Sequence, residues 1–378
     1  MTIAIDIRNL RDQYGGIPEY TKNVVRHLIS EGRDHHFILF YNGLRDPYFD
    51  IPQQRNVTVV RTRIPNKLFN PLLHFAKFPR LDTLIEKKAG RPIDLFFATD
   101  HNFFTFSKRA LKKVLVVHDI GYHLFPYYLG LKGRLWIQRV APLKLFKDID
   151  HIIAVSRTTK NDLIRYVKIP EEKISVVYQG IDDSFFNSPN NERPLYEGDY
   201  IPLIGLSGIR KNAISIIQAF HDALRREPQL QTWRLVIVGD RKKLHDLDAR
   251  INKLNLSKNI LWRDYCTDAE RLNMYRHAKL SIYPSFYEGF GLPPIEAMAV
   301  GVPTIVGGNS AMAEVSGPAA LLVDSYHIGA LTEALICLAK NDTVRARHIA
   351  KGLELSREFT WAQRARELLL VFEKISQQ

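Results

Sequence analysis

Short runs rich in β-branched residues alternate with helical patterns along nearly the whole sequence, and this alternation most restricts the possible folds. Strand-like runs are predicted first at 3–7, 37–41, 57–60, 95–98, 114–118, 152–155 and 174–177. After a break they are predicted at 203–206, 235–238, 260–262, 280–283, 304–306 and 321–323. Because strands that alternate with helices pair in parallel, the sequence predicts one parallel sheet before the break and a second one after it.

The break is a polar, proline-bearing segment at 187–200, which has the composition of a linker. We therefore predict a first domain at 1–186 and a second at 187–358, since 378 residues are enough for two cores. The remaining residues, 359–378, form an amphipathic helical pattern, and we expect this helix to pack back on the first domain. Ser156 follows a predicted strand and is a candidate N-cap.

The formal net charge of +13 is unevenly distributed. Between Ser107 and Phe146 the only acid is Asp119, whereas the basic residues are Lys108, Arg109, Lys112, Lys113, Lys132, Arg134, Arg139 and Lys144. Aromatic residues are interleaved with these cations. Peripheral contact with an anionic membrane and a solvated basic surface over an ordinary core are equally supported, and nucleic acid ranks third.

The sequence lacks the patterns of a membrane span, a secretion signal, a disulfide framework and a cysteine metal site. No apolar run is long enough to span a bilayer, and the first residues lack the pattern of a secretion signal. Two cysteines, Cys266 and Cys337, are not spaced as metal ligands or as a disulfide framework. We expect a cytoplasmic protein.

The most informative segment is 285–303, which follows a predicted strand. Gly289 and Gly291 let the backbone approach a ligand closely, and a helix that begins at the following prolines would present its N-terminus to an anion such as a diphosphate. We expect Glu288 in the loop and Glu296 in the first turn of the helix, both facing one cleft, where one would bind a ribose and the other a hexose. Taken singly, Glu288 would be a solvated loop acid and Glu296 a helix-dipole acid.

This segment resembles the family 4 retaining glycosyltransferases. Their hallmark is a pair of glutamates separated by seven residues, which Glu288 and Glu296 match. The resemblance implies an α/β protein of the GT-B fold, with two Rossmann-like domains that face each other across a cleft. It further implies an N-terminal domain that binds the acceptor and a C-terminal domain that binds a nucleotide sugar.

Other segments extend the resemblance. The stretch 203–212 is similar to the family's phosphate-binding segment, in which Gly205, Arg210 and Lys211 would contact the donor diphosphate. Gly15 and Gly16 match the family's glycine loop, although Pro18 replaces a usual glycine and removes one backbone donor. A plain tight turn at this loop stays open.

Two further segments carry candidate residues. His118 lies in a segment similar to the family's cleft-facing His-Asp motif, where it would give the sugar a hydrogen bond, and a satisfied buried histidine is the alternative. The segment 262–268 resembles the loop that holds the nucleotide base. By resemblance, the catalytic candidates are His118, Glu288, Arg210 and Lys211. The donor-binding candidates are Gly15, Gly16, Gly205, Arg210, Lys211, Tyr265, Cys266, Glu288, Gly289, Phe290, Gly291, Leu292 and Glu296.

The resemblance implies transfer of a hexose from a nucleoside diphosphate to a saccharide or lipid-linked oligosaccharide, with retention at the anomeric carbon. GDP-mannose is the favoured donor and UDP-glucose the second. Fixed cations at the leaving diphosphate imply that no metal or cofactor is needed. The Asp-x-Asp pairs at 148–150 and 246–248 are interpreted as incidental, and same-face attack is preferred over an enzyme nucleophile.

Two other classes of protein are alternatives. A nicotinamide-dependent dehydrogenase would share the α/β pattern, but the first predicted strand is followed by Arg-Asn-Leu-Arg and not by Gly-x-Gly-x-x-Gly. A nucleic-acid-binding protein would explain the charge and leave the Glu288 and Glu296 pair unexplained.

Overall fold

The computed structural model describes residues 1–107, 110–187, 192–206 and 208–377. The chain forms two compact units, one comprising Met1–Gly180 with Trp361–Gln378 and the other Ile181–Thr360. Lys108, Arg109, Ser207 and the linker residues 188–191 lie outside the described part.

The described residues of the first unit form one parallel sheet. Its strands are β1 (Thr2–Asp6), β2 (His36–Asn42), β3 (Val57–Thr62), β4 (Leu95–Ala98), β5 (Lys112–Val117), β6 (His151–Ala154) and β7 (Ile174–Val176). They pair in the order β3-β2-β1-β4-β5-β6-β7, and every neighbouring pair is parallel. The prediction of one seven-stranded sheet from these runs is confirmed.

Helices cover both faces of this sheet. They are α1 (Gly16–Glu31), α2 (Asn66–Pro71), α3 (Leu81–Ala89), α4 (Gly121–Leu124), α5 (Leu131–Val140), α6 (Pro142–Asp148), α7 (Arg157–Asp162) and, from the end of the chain, α16 (Trp361–Ser376). Single π turns follow α2 at Leu72–Ala76 and α7 at Leu163–Val167, and 3₁₀ turns lie at Arg8–Arg11, Pro126–Tyr128 and Glu171–Lys173.

Neighbouring side chains on β4 show which helices lie on which face, because successive side chains of a strand point to opposite sides. Phe96 joins the core cluster that includes Phe69 and Val140. Phe97 instead places its ring 4.9 Å from that of Phe372 on α16. The terminal helix and α1, which it contacts, therefore cover one face, and α2 and α5 cover the other.

Two helix starts follow from local chemistry. The Ser156 hydroxyl accepts a hydrogen bond from the Thr159 N–H at 2.9 Å, so the predicted N-cap is confirmed. Gly15 caps α1 with φ of +129°, a conformation that favours glycine. The expected glycine loop is therefore an N-cap followed by the first turn of α1. Pro18 fits this turn because its missing N–H would have no intrahelical acceptor.

The second unit differs from the prediction in its sheet. Its strands are β8 (Tyr200–Ile204), β9 (Arg234–Val238), β10 (Ile260–Arg263), β11 (Ser281–Tyr283), β12 (Thr304–Gly307) and β13 (Leu321–Val323). They form two parallel ladders, β10-β9-β8 and β11-β12-β13, and not the single sheet that the sequence predicts.

The interruption falls between β8 and β11. These strands do lie side by side, since the Lys279 N–H donates to the Tyr200 carbonyl at 3.0 Å. The middle residue of β8 is Pro202, which has no N–H to contribute to a second ladder.

The helices of this unit are α8 (Ser184–Asn187), α9 (Ala213–Arg226), α10 (His245–Lys253), α11 (Asp268–Arg276), α12 (Leu292–Ala299), α13 (Ala311–Ser316), α14 (Ile328–Lys340) and α15 (Asp342–Ser356). Its 3₁₀ turns are Ile209–Lys211, Pro228–Leu230, Arg241–Leu244, Ser257–Asn259 and Gly317–Ala319. No helix in the described part of the chain is both long and apolar enough to cross a membrane.

The packing of α16 gives a stability prediction. Phe372 is fully buried and packs against Phe97, so Phe372→Ala should lower the free energy of unfolding by about 3–5 kcal/mol through lost burial and a cavity. Leu370 lies on the same helix and is 65% exposed, so Leu370→Ala should change it by less than about 0.5 kcal/mol. Urea denaturation of both variants measures the difference. Equal losses would contradict the described packing.

Candidate functional site

The candidate site lies in the second unit, where the order of the strands reverses. The chain leaves β8 for the turn Ile209–Lys211 and leaves β11 for the loop 284–291, and both segments start at carboxyl ends of adjacent strands. Open α/β sheets bind ligands at such a reversal, because the loops on its two sides diverge and leave a crevice.

Asn212 fixes these two segments to each other. It adopts a left-handed conformation with φ of 57°, and its side-chain amide donates to the Pro284 carbonyl at 3.0 Å and the Ser325 carbonyl at 2.7 Å. The Phe286 N–H also donates to the Arg210 carbonyl at 2.8 Å. No role for Asn212 was predicted from the sequence. The available signal was its position directly after Arg210 and Lys211, at a residue type that tolerates this conformation.

Glu288 lies between the two cations that the sequence singled out. Its Oε2 is 2.8 Å from Arg210 Nη1, and its Oε1 is 2.6 Å from Lys211 Nζ. Glu288 is only 6% exposed, so it is not the solvated loop acid of the alternative interpretation. We call these three side chains the Glu288 triad.

The triad keeps its carboxylate charged. Burial raises the pKa of Glu288, but the charges of Lys211 and Arg210 outweigh burial and hold the pKa below its ordinary value. One anion between two cations leaves the triad with a net charge of about +1. Such a cluster is poised to attract a second anion.

The start of α12 supplies fewer backbone donors than expected. A helix start has four N–H positions without intrahelical acceptors, which here are residues 291–294. Pro293 and Pro294 lack N–H groups, so the N–H groups of Gly291 and Leu292 are the two that remain. Gly291 has φ of +107°, and a Cβ there would lie 2.9 Å from Met312 Cγ. Any other residue at position 291 would be strained and would crowd Met312.

Glu296 lies one turn later than predicted. Because α12 begins at Leu292, Glu296 is in its second turn and not in the first. It is 5% exposed, and its Oε1 is 3.5 Å from Arg271 Nη2. The Arg271 guanidinium lies 5.7 Å from the ring centre of Phe185. A buried ion pair in the second turn argues against a simple helix-dipole role.

The other donor-binding candidates of this unit differ in how exposed they are to solvent. Gly205 has φ of +74°, and its Cβ position faces open space. Phe290 is buried with its ring 5.9 Å from that of Phe359, so its side chain is covered by other protein groups. Gly289 joins it to Glu288.

Tyr265 and Cys266 lie in the loop between β10 and α11. The Tyr265 carbonyl accepts a hydrogen bond from Arg263 Nε at 2.8 Å, and the Tyr265 side chain is 46% exposed. Burial raises the pKa of the Cys266 thiol to about 11, so the thiol is not a nucleophile near neutral pH. The same loop leads into a capping box formed by Thr267 and Glu270.

The first unit holds the remaining candidates, Gly15, Gly16 and His118. His118 follows β5, and its Nε2 lies 2.9 Å from the Thr99 carbonyl. Since a carbonyl only accepts, Nε2 carries the proton and Nδ1 is the accepting nitrogen. Burial lowers the pKa of His118 more than the neighbouring Asp100 raises it, so the ring is neutral at pH 7.

A second polar pair, which was not predicted from the sequence, lies beside His118. Asp100 and His101 follow β4, the strand next to β5, and the Asp100 Oδ1 is 2.9 Å from His101 Nδ1. Burial raises the pKa of Asp100, but His101 outweighs it and the net shift is downward. For His101, burial lowers the pKa, but the charge of Asp100 outweighs burial and the net shift is upward. The available signal was the repetition of a His and Asp pair at the ends of two adjacent strands.

The Asp-x-Asp pairs are engaged elsewhere. Asp150 is 3.1 Å from Lys113 Nζ, and Asp248 is 2.7 Å from Arg241 Nη2. The described residues contain no group of three or more His, Cys, Asp or Glu side chains placed to hold a metal ion.

Comparisons with known proteins place these features in a family. Residues 14–185 match the model for Glycosyltransferase Family 4, and residues 191–354 match that for glycosyl transferases group 1. O-antigen chain mannosyltransferase B of Escherichia coli is 27% identical over 269 residues, covering 68% of this chain and 69% of the relative. D-inositol 3-phosphate glycosyltransferase of Corynebacterium efficiens is 26% identical over 253 residues, covering 63% of this chain and 59% of the relative, which is less than two thirds.

A solved structure shows the same fold. Sucrose-phosphate synthase from Thermosynechococcus elongatus superposes with a TM-score of 0.77 over 99% of each chain at 19% identity. Since the two family models together span nearly the whole sequence, this chain belongs to the family 4 glycosyltransferases and has the GT-B fold.

Proposed function

We propose that this protein is a retaining hexosyltransferase that takes a hexose from a nucleoside diphosphate sugar and gives it to a saccharide or lipid-linked oligosaccharide. The observation that carries the proposal is the Glu288 triad, a buried carboxylate between two cations at the reversal of strand order. The donor diphosphate binds against Arg210 and Lys211, with the N–H groups of Gly291 and Leu292 as further donors.

The triad suits this task because its cations are already in place. Without donor, Glu288 holds Arg210 and Lys211 by charge, so little reorganisation is needed when a diphosphate arrives. As the bond to the sugar breaks, negative charge grows on the diphosphate. Fixed cations stabilise that growing charge more than they stabilise the bound substrate, which is the condition for catalysis.

The same cations replace a metal ion. A diphosphate leaving group needs positive charge nearby, and two basic side chains with a helix N-terminus supply it. We propose turnover without a divalent metal and without an organic cofactor. Attack of the acceptor from the side of the departing phosphate gives retention without an enzyme nucleophile.

The two glutamates have separate roles in this proposal. Glu288 orients the cations and accepts a hydrogen bond from the hexose. Glu296, held by Arg271, accepts one from the ribose, since an ionised carboxylate has lone pairs for several donors. His118, in the first unit, has an accepting Nδ1 with which it can bind a sugar hydroxyl.

GDP-mannose is the favoured donor, and UDP-glucose is second. Similarity to an O-antigen chain mannosyltransferase supports the first choice and supports an acceptor from polysaccharide synthesis. An acceptor on a lipid carrier would bring the protein to the cytoplasmic face of a membrane as a peripheral protein.

Nucleotide binding tests the donor directly. Isothermal titration calorimetry with GDP-mannose, GDP, UDP-glucose and UDP should show binding of GDP and GDP-mannose, with the UDP ligands weaker. Stronger UDP binding would reassign the donor. If none of the four ligands bound, the proposed donor site would be wrong.

Removing one cation tests the triad. Lys211→Ala should lower kcat by on the order of 100- to 1000-fold, because one fixed charge at the leaving group is lost. The control is Lys258→Ala, an exposed lysine of the same unit, which should leave kcat unchanged. Circular dichroism must show that both variants are folded. Normal turnover in folded Lys211→Ala would contradict the role of the triad.

Metal dependence and stereochemistry are tested on the same reaction. The rate in EDTA should equal the rate in Mg²⁺, and NMR of the product should show the anomeric configuration of the donor sugar. An inverted product would refute retention, and loss of activity in EDTA that Mg²⁺ restores would refute metal independence.

A further inference from the structure

An exposed apolar surface on the first unit is not used by the proposed chemistry. It is formed by two segments, residues 66–80 and helix α5 (Leu131–Val140). We call it the α2–α5 surface. Its exposed apolar side chains, with their exposed fractions, are Leu68 59%, Leu72 40%, Phe75 76%, Phe78 64%, Leu131 75%, Leu135 44% and Trp136 37%.

Both segments are anchored on the same face of the sheet. Phe69 and Leu73 from the first segment and Val140 from the second are buried in the core cluster that contains Phe96. Because this core lies opposite the face covered by α16, the exposed side chains of both segments point away from the terminal helix.

Aromatic contacts connect the two segments directly. The ring of His74 lies 5.2 Å from that of Phe103, and the ring of Phe103 lies 5.4 Å from that of Trp136. Because both rings contact the buried Phe103, the two segments lie side by side, and their exposed apolar side chains are grouped on one part of this unit and not scattered singly. Grouped exposed apolar side chains mark an interaction site.

The charge of this surface selects its partner. The sequence has no acid between Asp50 and Asp82 and none between Asp119 and Asp148. The exposed cations of the two segments are Lys67, Lys77, Arg80, Lys132, Arg134 and Arg139. Exposed aromatic and aliphatic side chains among cations match an anionic lipid bilayer, which presents phosphates above an apolar interior.

We propose that the α2–α5 surface docks this protein on an anionic bilayer. Phe75 and Phe78 enter the headgroup region, and the surrounding cations contact lipid phosphates. The inference rests on the proposed function in one respect, since a lipid-linked acceptor explains why an enzyme of this kind would gain from docking.

Vesicle sedimentation tests the surface without any acceptor. Wild type should sediment with vesicles of phosphatidylcholine and phosphatidylglycerol in equal parts, and not with vesicles of phosphatidylcholine alone. Raised salt should release it, because exposed charges are screened. The double variant Phe75→Ser, Phe78→Ser should bind at least about tenfold more weakly, since two apolar side chains no longer enter the bilayer.

The control variant is Leu370→Ser, which replaces an exposed leucine on the helix that covers the opposite face. It should bind vesicles as wild type does. The proposal would be overturned if Leu370→Ser weakened vesicle binding as much as the double variant does. It would also be overturned if wild type did not bind anionic vesicles. Light scattering that shows a dimer split by Phe75→Ser, Phe78→Ser without any vesicle binding would overturn it too, because the surface would then bind a second copy.

Nucleotide calorimetry separates this proposal from the donor proposal. The double variant should bind the donor nucleotide as wild type does, because Phe75 and Phe78 belong to the first unit and the Glu288 triad to the second. Vesicle binding with no nucleotide binding would refute the proposed function and leave the docking surface standing. The opposite result would refute only the docking surface.

Discussion

The ion pairs of Glu288 with Arg210 and Lys211 are the interaction on which the candidate site depends. A buried carboxylate without a partner would be strongly disfavoured, and two unpartnered cations in one turn would repel each other. Together they are compatible with burial, and they fix the loop after β11 against the turn after β8. Asn212 completes this arrangement with backbone hydrogen bonds to Pro284 and Ser325. The net positive charge that remains is what a diphosphate would meet.

Local patterns were enough to predict much of the fold, and they failed where the answer depended on distant contacts. The seven runs of the first sheet and the Ser156 cap follow from periodicity and from hydroxyl chemistry within a few residues. The second sheet was predicted as continuous because strand patterns do not show which neighbour a strand will pair with. The strand predicted at 203–206 did not include Pro202, which lies in the middle of β8 at Tyr200–Ile204, and its missing N–H matters only because β11 lies beside β8.

The site shows the same division. The spacing of Glu288 and Glu296 and the Arg-Lys pair were visible in the sequence. The partner of Glu296 was not visible in the sequence. Arg271 is far from Glu296 in the chain, and the two side chains lie close together only because α11 and α12 pack against each other. Asp100 and His101 went unnoticed for a similar reason. Their proximity to His118 arises because β4 and β5 pair, a relation that a single run of residues does not reveal.

The cations that contribute to the net charge of +13 include two groups that differ in their exposure to solvent and therefore in how strongly salt screens them. Lys211 is only 17% exposed and is held 2.6 Å from a buried carboxylate, so dissolved salt screens it weakly. The cations of the α2–α5 surface are exposed, and at about 0.1 M salt their attraction for a bilayer extends only about 10 Å. Salt therefore acts differently on the two. A salt concentration that abolishes binding to vesicles should weaken the proposed binding of a diphosphate much less, because salt screens the exposed cations more strongly than it screens Lys211.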